Sequence, residues 1–135
     1  MANIVQFALA AFASLVLLFA LNMFVFPLVF PNGVGSKFAN PREEPLNAVH
    51  LVALVATAVL ITALVVLIQP AGSSLNAIGI GIVVALLTSL PTAIHTYALT
   101  RTLVSEHIAP IVWTCVTWSL AAGVAHWVYH WRSAV

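Results

Sequence analysis

Charged side chains are scarce in this sequence. Four basic and three acidic residues occur among 135, which is 5% of the chain, whereas about 25% is usual in soluble domains. So few charges do not cover the surface of a soluble fold of this length, and the net charge of +1 leaves no basic patch for nucleic acid. The scarcity of charge therefore indicates a membrane protein and excludes nucleic acid as a partner.

Cysteine is also nearly missing. The sequence contains one, Cys115, which excludes an internal disulfide and any cysteine-based zinc framework. Because Cys115 lies inside a long apolar run, we expect a small, buried and unreactive thiol.

No set of side chains typical of an active site stands out. Ser119 and His126 fall on one face of a predicted helix, but seven residues separate them by about 10 Å along the axis, too far for a hydrogen bond. Glycine-rich phosphate-binding motifs are missing, and the glycines of "GIGI" lie inside an apolar run where they favour helix packing. The sequence therefore gives no support for enzyme activity.

Apolar residues, by contrast, make up 63% of the chain. They form four long runs, at about 4–30, 47–69, 75–97 and 108–131. Each run meets the need for about 20 residues to cross a bilayer as a helix, and inside lipid the backbone must form its own hydrogen bonds. The sequence predicts an all-α fold, an integral membrane up-down four-helix bundle that forms a single domain over 1–135.

The connection between the first two runs, "PNGVGSKFANPREEPLN", is the longest polar stretch. It carries Lys37 and Arg42, and Arg101 lies on the same predicted membrane face, whereas Arg132 lies on the opposite face. Basic residues favour the cytoplasmic side. The sequence therefore predicts that the connections with Arg42 and Arg101 are cytoplasmic and that both termini are outside.

The second connection, "QPAGSSLN", is a short turn of proline, glycine and serine. Its length places the second and third helices antiparallel. Ser74 and Asn76 are residue types that cap helix N-termini, so we expect one of them to cap the third helix.

The third helix has one face of small and hydroxyl side chains. Helical spacing places this face within about 80°, and His95 lies on it as well. Small residues let helices approach closely, and threonines supply hydrogen bonds between them. The same reasoning assigns the small side of the fourth helix to the bundle interior. The predicted packing residues are Gly81, Ala85, Thr88, Thr92, Ser119 and Ala122.

The opposite side of the fourth helix carries tryptophans. Trp113, Trp127 and Trp131 form a bulky stripe, whereas Cys115 and His126 lie on the small side. Tryptophan is enriched where helices meet the membrane surface. We interpret the stripe as facing lipid or a partner subunit.

Three histidines are predicted at one membrane face. His50 begins the second helix, His95 ends the third and His107 begins the fourth, and we expect them to converge with Asn22, Thr92 and Tyr97. Imidazole ligates haem and transition metals, so His50 and His95 are a candidate ligand pair, with His107 as a third ligand. The alternatives are hydrogen bonds between helices or to headgroups, and a quinone-type or small-molecule pocket. Any cofactor stays unidentified.

A second histidine pair is predicted at the opposite membrane face. His126 and His130 are four residues apart, the spacing that places two metal ligands on one helix face. The sequence contains no acidic metal ligand inside a predicted span.

The segments "LNAIGIG", "LPTAIHTYALTR" and "WSLAAGVAHW" carry a likeness to a known group. From about 75 to 131 the chain resembles an uncharacterised bacterial family of small four-helix integral membrane proteins, a domain of unknown function. The shared features are size, a glycine in the third helix, a polar break before the fourth and small residues within it. The resemblance implies a four-helix fold in a bacterial inner membrane and no catalytic residues.

The sequence predicts a non-catalytic, multi-pass membrane protein that is an accessory or structural subunit of a larger membrane complex. Its expected partners are lipid and other membrane subunits, or a second copy. One alternative is a haem- or metal-binding electron-transfer subunit that uses the inward histidines. The other is a small-solute transporter or channel formed by an oligomer, which the lack of Asp, Glu, Lys and Arg in the middle of the helices disfavours.

Overall fold

Four helices account for nearly all residues that the structure describes. The structure is a computed structural model that describes residues 4–31, 47–68, 72–99 and 104–131. Its helices are α1 (Ile4–Val29), α2 (Asn47–Ile68), α3 (Ser74–Leu99) and α4 (Val104–His130). The described ranges contain no strand, so the all-α prediction is confirmed, and each helix end lies within about one turn of its predicted position. All four helices are long and apolar enough to cross a membrane.

The helix α4 occupies the central position. It packs against each of the other three helices, whereas α3 packs almost entirely against α4 and only slightly against α2. The helix α1 packs against α4 and α2. Contacts at both ends show that α3 and α4 are antiparallel: Ser74 bonds to His126, and Tyr97 packs against His107. In the described ranges, one side of α3 therefore packs against α4, and the rest of its surface makes few contacts with other helices.

Small side chains dominate the centre of the bundle. Alanines of α2, α3 and α4 form a buried cluster with larger apolar residues of α1 and α2. The members are Leu18, Leu54, Ala58, Ile61, Val65, Ala77, Ala121 and Ala122. Large apolar side chains instead point outward on all four helices, with Leu28, Leu67 and Leu75 about four-fifths exposed. Small residues inside and large apolar residues outside are typical of helices that pack within lipid.

The helices α3 and α4 approach each other closely at Gly81. A Cβ atom added there would lie 2.5 Å from the carbonyl oxygen of Trp118 and 2.7 Å from the Cα atom of Ser119. Both atoms belong to the backbone of α4, which cannot move aside as the end of a side chain can. The position therefore requires glycine. Gly79, by contrast, has nothing within 4 Å of an added Cβ atom.

The helix α1 changes its winding before Pro27. A π-helical turn covers Leu21–Val25, and the Phe26 N–H donates to the Leu21 carbonyl before the α-helix resumes over Phe26–Val29. Proline has no N–H, and its ring clashes with the carbonyl four residues earlier, so a wider turn directly before it relieves the clash. This turn contains Asn22, whose Nδ2 atom donates to the Leu18 carbonyl at 2.8 Å.

Ser73 caps α3. Its Oγ atom accepts a hydrogen bond from the Asn76 N–H at 3.3 Å, and its carbonyl accepts from the N–H groups of Asn76 and Ala77. The prediction that Ser74 or Asn76 provides the cap is therefore wrong, because the cap is Ser73, the residue directly before Ser74. Because Ser73 takes this role, the Ser74 side chain is available for a contact between helices.

The long first connection and the residues used to predict orientation lie outside the described residues. These residues are Lys37, Arg42, Arg101 and Arg132. The prediction of cytoplasmic connections and external termini therefore stays a prediction.

Candidate functional site

The polar face of α3 is covered over only half of its length. Gly81 and Ala85 are buried, whereas Thr88, Thr92 and His95 are exposed. All five fall within about 80° around the helix axis, so the same face passes from the bundle interior to its outside along one helix. The expectation that Thr88, Thr92 and His95 point inward is wrong within the described ranges, because the helices described there leave all three side chains exposed.

The threonines of this face bond to their own helix. The Thr88 hydroxyl donates to the carbonyls of Val84 and Ala85 at 2.9 and 3.0 Å, and the Thr92 hydroxyl donates to the Thr88 carbonyl at 3.0 Å. Such bonds satisfy the hydroxyl hydrogen but leave the oxygen able to accept another hydrogen bond. Thr88 and Thr92 therefore present acceptor oxygens on the outer surface. We call Thr88, Thr92 and His95 the α3 polar face.

The histidines of the first predicted group do not point into the bundle together. His50 and His95 are exposed, and His107 is half-buried with its ring 6.1 Å from the ring of Tyr97. Among the described residues, no three His, Cys, Asp or Glu side chains lie close enough together to hold one metal ion. The inward orientation predicted for His50 and His95 is wrong, and their role as haem or metal ligands, with His107 as a third, stays a prediction.

Asn22 pairs with Trp113 instead of joining the histidines. The Trp113 Nε1 atom donates to the Asn22 Oδ1 atom at 3.2 Å. The Trp113 ring also packs edge-on against Phe26 and Phe30, at centroid distances of 5.5 and 6.0 Å. Trp113 is half-buried, so its predicted place on the outward stripe is wrong, because its indole N–H finds an amide acceptor on α1.

The other two tryptophans of the stripe do face outward. Trp127 is 55% exposed and Trp131 is 58% exposed, and their rings lie 4.5 Å apart. They stand on adjoining turns at the end of α4. The structure therefore gives an exposed aromatic pair there, on the side of α4 away from the buried Ala122 and Ser119.

The second histidine pair forms the most enclosed polar cluster. His126 is only 5% exposed, and its Nδ1 atom lies 3.2 Å from the Ser74 Oγ atom on α3. The His130 ring stands 4.5 Å from the His126 ring, and Tyr129 packs edge-on against His130 at 5.1 Å. The Nε2 atoms of both histidines are shielded from solvent, and that of His126 has no hydrogen-bond partner in the described part of the chain.

In the described ranges, the serine hydroxyl that contacts His126 is that of Ser74 on α3 and not that of Ser119. The Ser119 hydroxyl donates to the Val116 carbonyl of its own helix at 2.9 Å, whereas His126 bonds to Ser74. Cys115 is a free, half-buried thiol. Ser119 and His126 thus bond to different partners, which agrees with the distance between them expected from their spacing.

Sequence reasoning missed two features of this region. It assigned Trp113 to the outside, although Asn22, a strongly polar side chain well inside the first apolar run, required a partner. It also offered Ser74 as a cap, although the adjacent Ser73 has the same capping chemistry. An amide side chain within an apolar run was the signal for the first contact.

Comparison with known proteins gives no relative. No protein-family model, no curated protein and no solved structure matches the chain. The resemblance of residues 75–131 to a bacterial family of small membrane proteins stays a prediction.

Proposed function

We propose that the protein is a non-catalytic, multi-pass integral membrane protein of a bacterial inner membrane, where it is an accessory or structural subunit of a larger complex. The observation that carries this proposal is the uncovered α3 polar face. A helix that is long and apolar enough to cross a membrane presents Thr88, Thr92 and His95 outward. Polar side chains in membrane helices usually face other helices, since lipid offers them no hydrogen bonds.

The position of this face along α3 supports the proposal that a helix of another subunit packs against it. The same helix face is already used for packing at Gly81 and Ala85, where α4 covers it. Beyond Ala85 the hydroxyl acceptors of Thr88 and Thr92 are uncovered, and small side chains there leave room for a second backbone to approach. A transmembrane helix of another subunit that packs over Thr88 and Thr92 would extend the existing interface by about two turns.

The remaining features fit a binding role better than catalysis or transport. The polar contacts between helices inside the bundle, from Ser14 to Ala121 and from Asn22 to Trp113, hold the described helices together. The hydroxyls of Ser119 and Thr117 bond to carbonyls of their own helix. The polar groups of these side chains are thus engaged in structural hydrogen bonds.

Co-purification from native membranes in mild detergent tests the proposal. The double variant Thr88→Leu with Thr92→Leu removes the acceptor oxygens and fills the space beside them, so bound subunits should be lost in mass spectrometry of the purified material. Val83→Leu is the matched control, because Val83 is exposed and lies about 180° from Thr92 around α3. Equal recovery of the same partner proteins with the wild type, the double variant and the control would refute this interface.

A further inference from the structure

The end of α4 holds a histidine pair that the proposed function does not use. The rings of His126 and His130 have centroids 4.5 Å apart and planes inclined by 45°. His126 is buried, and its Nε2 atom has no hydrogen-bond partner among the residues that the structure describes. Buried side-chain nitrogens almost always have a partner, so one without a partner needs an explanation. This pair lies at the opposite end of α3 from the α3 polar face.

We infer that His126 and His130 are two ligands of a site for a transition-metal cation of the class of Zn²⁺ or Cu²⁺. Neutral imidazole is a preferred ligand of both cations. Two imidazoles bound through Nε2 to one tetrahedral cation at about 2.0–2.1 Å have ring centroids roughly 5 Å apart. The observed separation of 4.5 Å is close to this value, and the Nε2 atoms of both rings are shielded from solvent.

Ser74 is the positioning residue of this site. A metal-bound histidine usually donates its other ring N–H to an oxygen, which fixes the tautomer and the direction of the ring. The Ser74 Oγ atom lies 3.2 Å from the His126 Nδ1 atom. With a cation on Nε2, Nδ1 would carry the ring proton and donate this hydrogen bond to Ser74. The Nε2 lone pair of His126 is then the one that faces the cation. Because Ser74 is on α3 and His126 on α4, the site forms only when these helices are packed together.

The two histidines leave coordination positions for other ligands. No third His, Cys, Asp or Glu of the described ranges completes a metal group. A four-coordinate cation held by these two histidines would therefore complete its coordination with water or a small anion.

Metal titration of the untagged, detergent-purified full chain tests the inference. Cu²⁺ is the probe, and electron paramagnetic resonance reports the number of imidazole nitrogens bound to it. The wild type should bind one Cu²⁺ per chain through two imidazoles, and Cu²⁺ should displace Zn²⁺ bound beforehand. Ser74→Ala, which keeps both ligands, should weaken Cu²⁺ binding by about 10–100-fold. His130→Gln should weaken it further and leave a one-imidazole spectrum.

The control and the fold check make the result decisive. Ser89→Ala changes a half-buried serine of α3 that bonds to its own helix, and it should leave Cu²⁺ affinity and spectrum unchanged. Circular dichroism and gel filtration report whether each variant is folded. If the variant His126→Gln is misfolded, the variants at the half-buried His130 and the exposed Ser74 decide the question. No stoichiometric Cu²⁺ binding by the wild type, or binding unaffected by both His130→Gln and Ser74→Ala, would overturn the inference.

Discussion

The indole N–H of Trp113 donates a hydrogen bond to the side-chain oxygen of Asn22 across 3.2 Å. This bond joins the π-helical turn of α1 to the first half of α4. The acceptor, Asn22, is a strongly polar side chain inside an apolar run. Its bond holds Trp113 against α1, whereas the helical pattern places Trp113 on the outer stripe.

This bond should contribute measurably to stability. Trp113→Phe removes the donor and Asn22→Leu removes the acceptor, and a double-mutant cycle isolates their coupling. Polar contacts between membrane helices average about 0.6 kcal/mol and reach about 1.7 kcal/mol, so we expect a coupling free energy in that range. Unfolding in mixed detergent micelles measures it. Trp127→Phe, at an exposed tryptophan, should show no coupling to Asn22→Leu, and equal coupling at both sites would contradict the contact.

The contact at Gly81 gives a sharper prediction. Gly81→Ala places a methyl group against the backbone of Trp118 and Ser119, which should lower the free energy of unfolding by about 1–3 kcal/mol through overpacking. Gly79→Ala is the matched control two residues away, where the methyl group meets open space. It should be neutral or raise stability by less than about 1 kcal/mol. Similar losses in the two variants would show that α3 and α4 do not approach as described.

Ser14 and Ser89 allow a hydrogen bond between two helices to be compared with one within a single helix. The buried Ser14 hydroxyl donates to the Ala121 carbonyl of α4 at 3.0 Å, whereas the Ser89 hydroxyl donates to the Ala85 carbonyl of its own helix at 2.6 Å. Ser14→Ala should lower the free energy of unfolding by about 0.6–1.7 kcal/mol. Ser89→Ala should change it by less than Ser14→Ala. The order of the two losses, measured by the same unfolding assay, is the test.

Insertion of the helices into a membrane predicts a difference in thiol reactivity. In a Cys115→Ala background, Ile4→Cys and Leu60→Cys place a thiol at exposed positions, 80% and 62% exposed in the wild type. Leu60 lies near the middle of α2 and Ile4 at the start of α1. A charged maleimide added to membranes open at both faces should therefore label Ile4→Cys and not Leu60→Cys. After denaturation in SDS both should react, and equal labelling before denaturation would place α2 in water.

Much of the fold follows from the lengths of the apolar runs in the sequence. Each apolar run of the length needed to cross the bilayer became a helix, and its ends follow from where the run stops. The buried Gly81 and Ala85 follow from helical spacing, since small side chains on one face permit close approach. The all-α prediction therefore required no knowledge of how the helices pair.

The candidate site was harder to predict. The spacing of residues gives the direction in which a side chain points around its own helix, but it does not give how far a neighbouring helix extends along that helix. Thr92 and Ala85 share a face, yet α4 covers Ala85 and leaves Thr92 exposed. Likewise, nothing in the spacing distinguishes the cap Ser73 from Ser74, which bonds to His126. Which side chains are covered and which serine bonds to His126 depend on how the two helices cross. The crossing is set by packing and cannot be read from the spacing along one helix.

Photocrosslinking from the α3 polar face in native membranes tests the proposed subunit role most directly. A photoreactive phenylalanine analogue at position 92 should give one discrete crosslinked product with another membrane protein, because Thr92 lies at the proposed interface. The same analogue at Leu60, an exposed apolar position on α2, should give none. Lipid adducts alone from both positions would contradict the account, and a product of twice the chain mass would show a second copy in place of a larger complex.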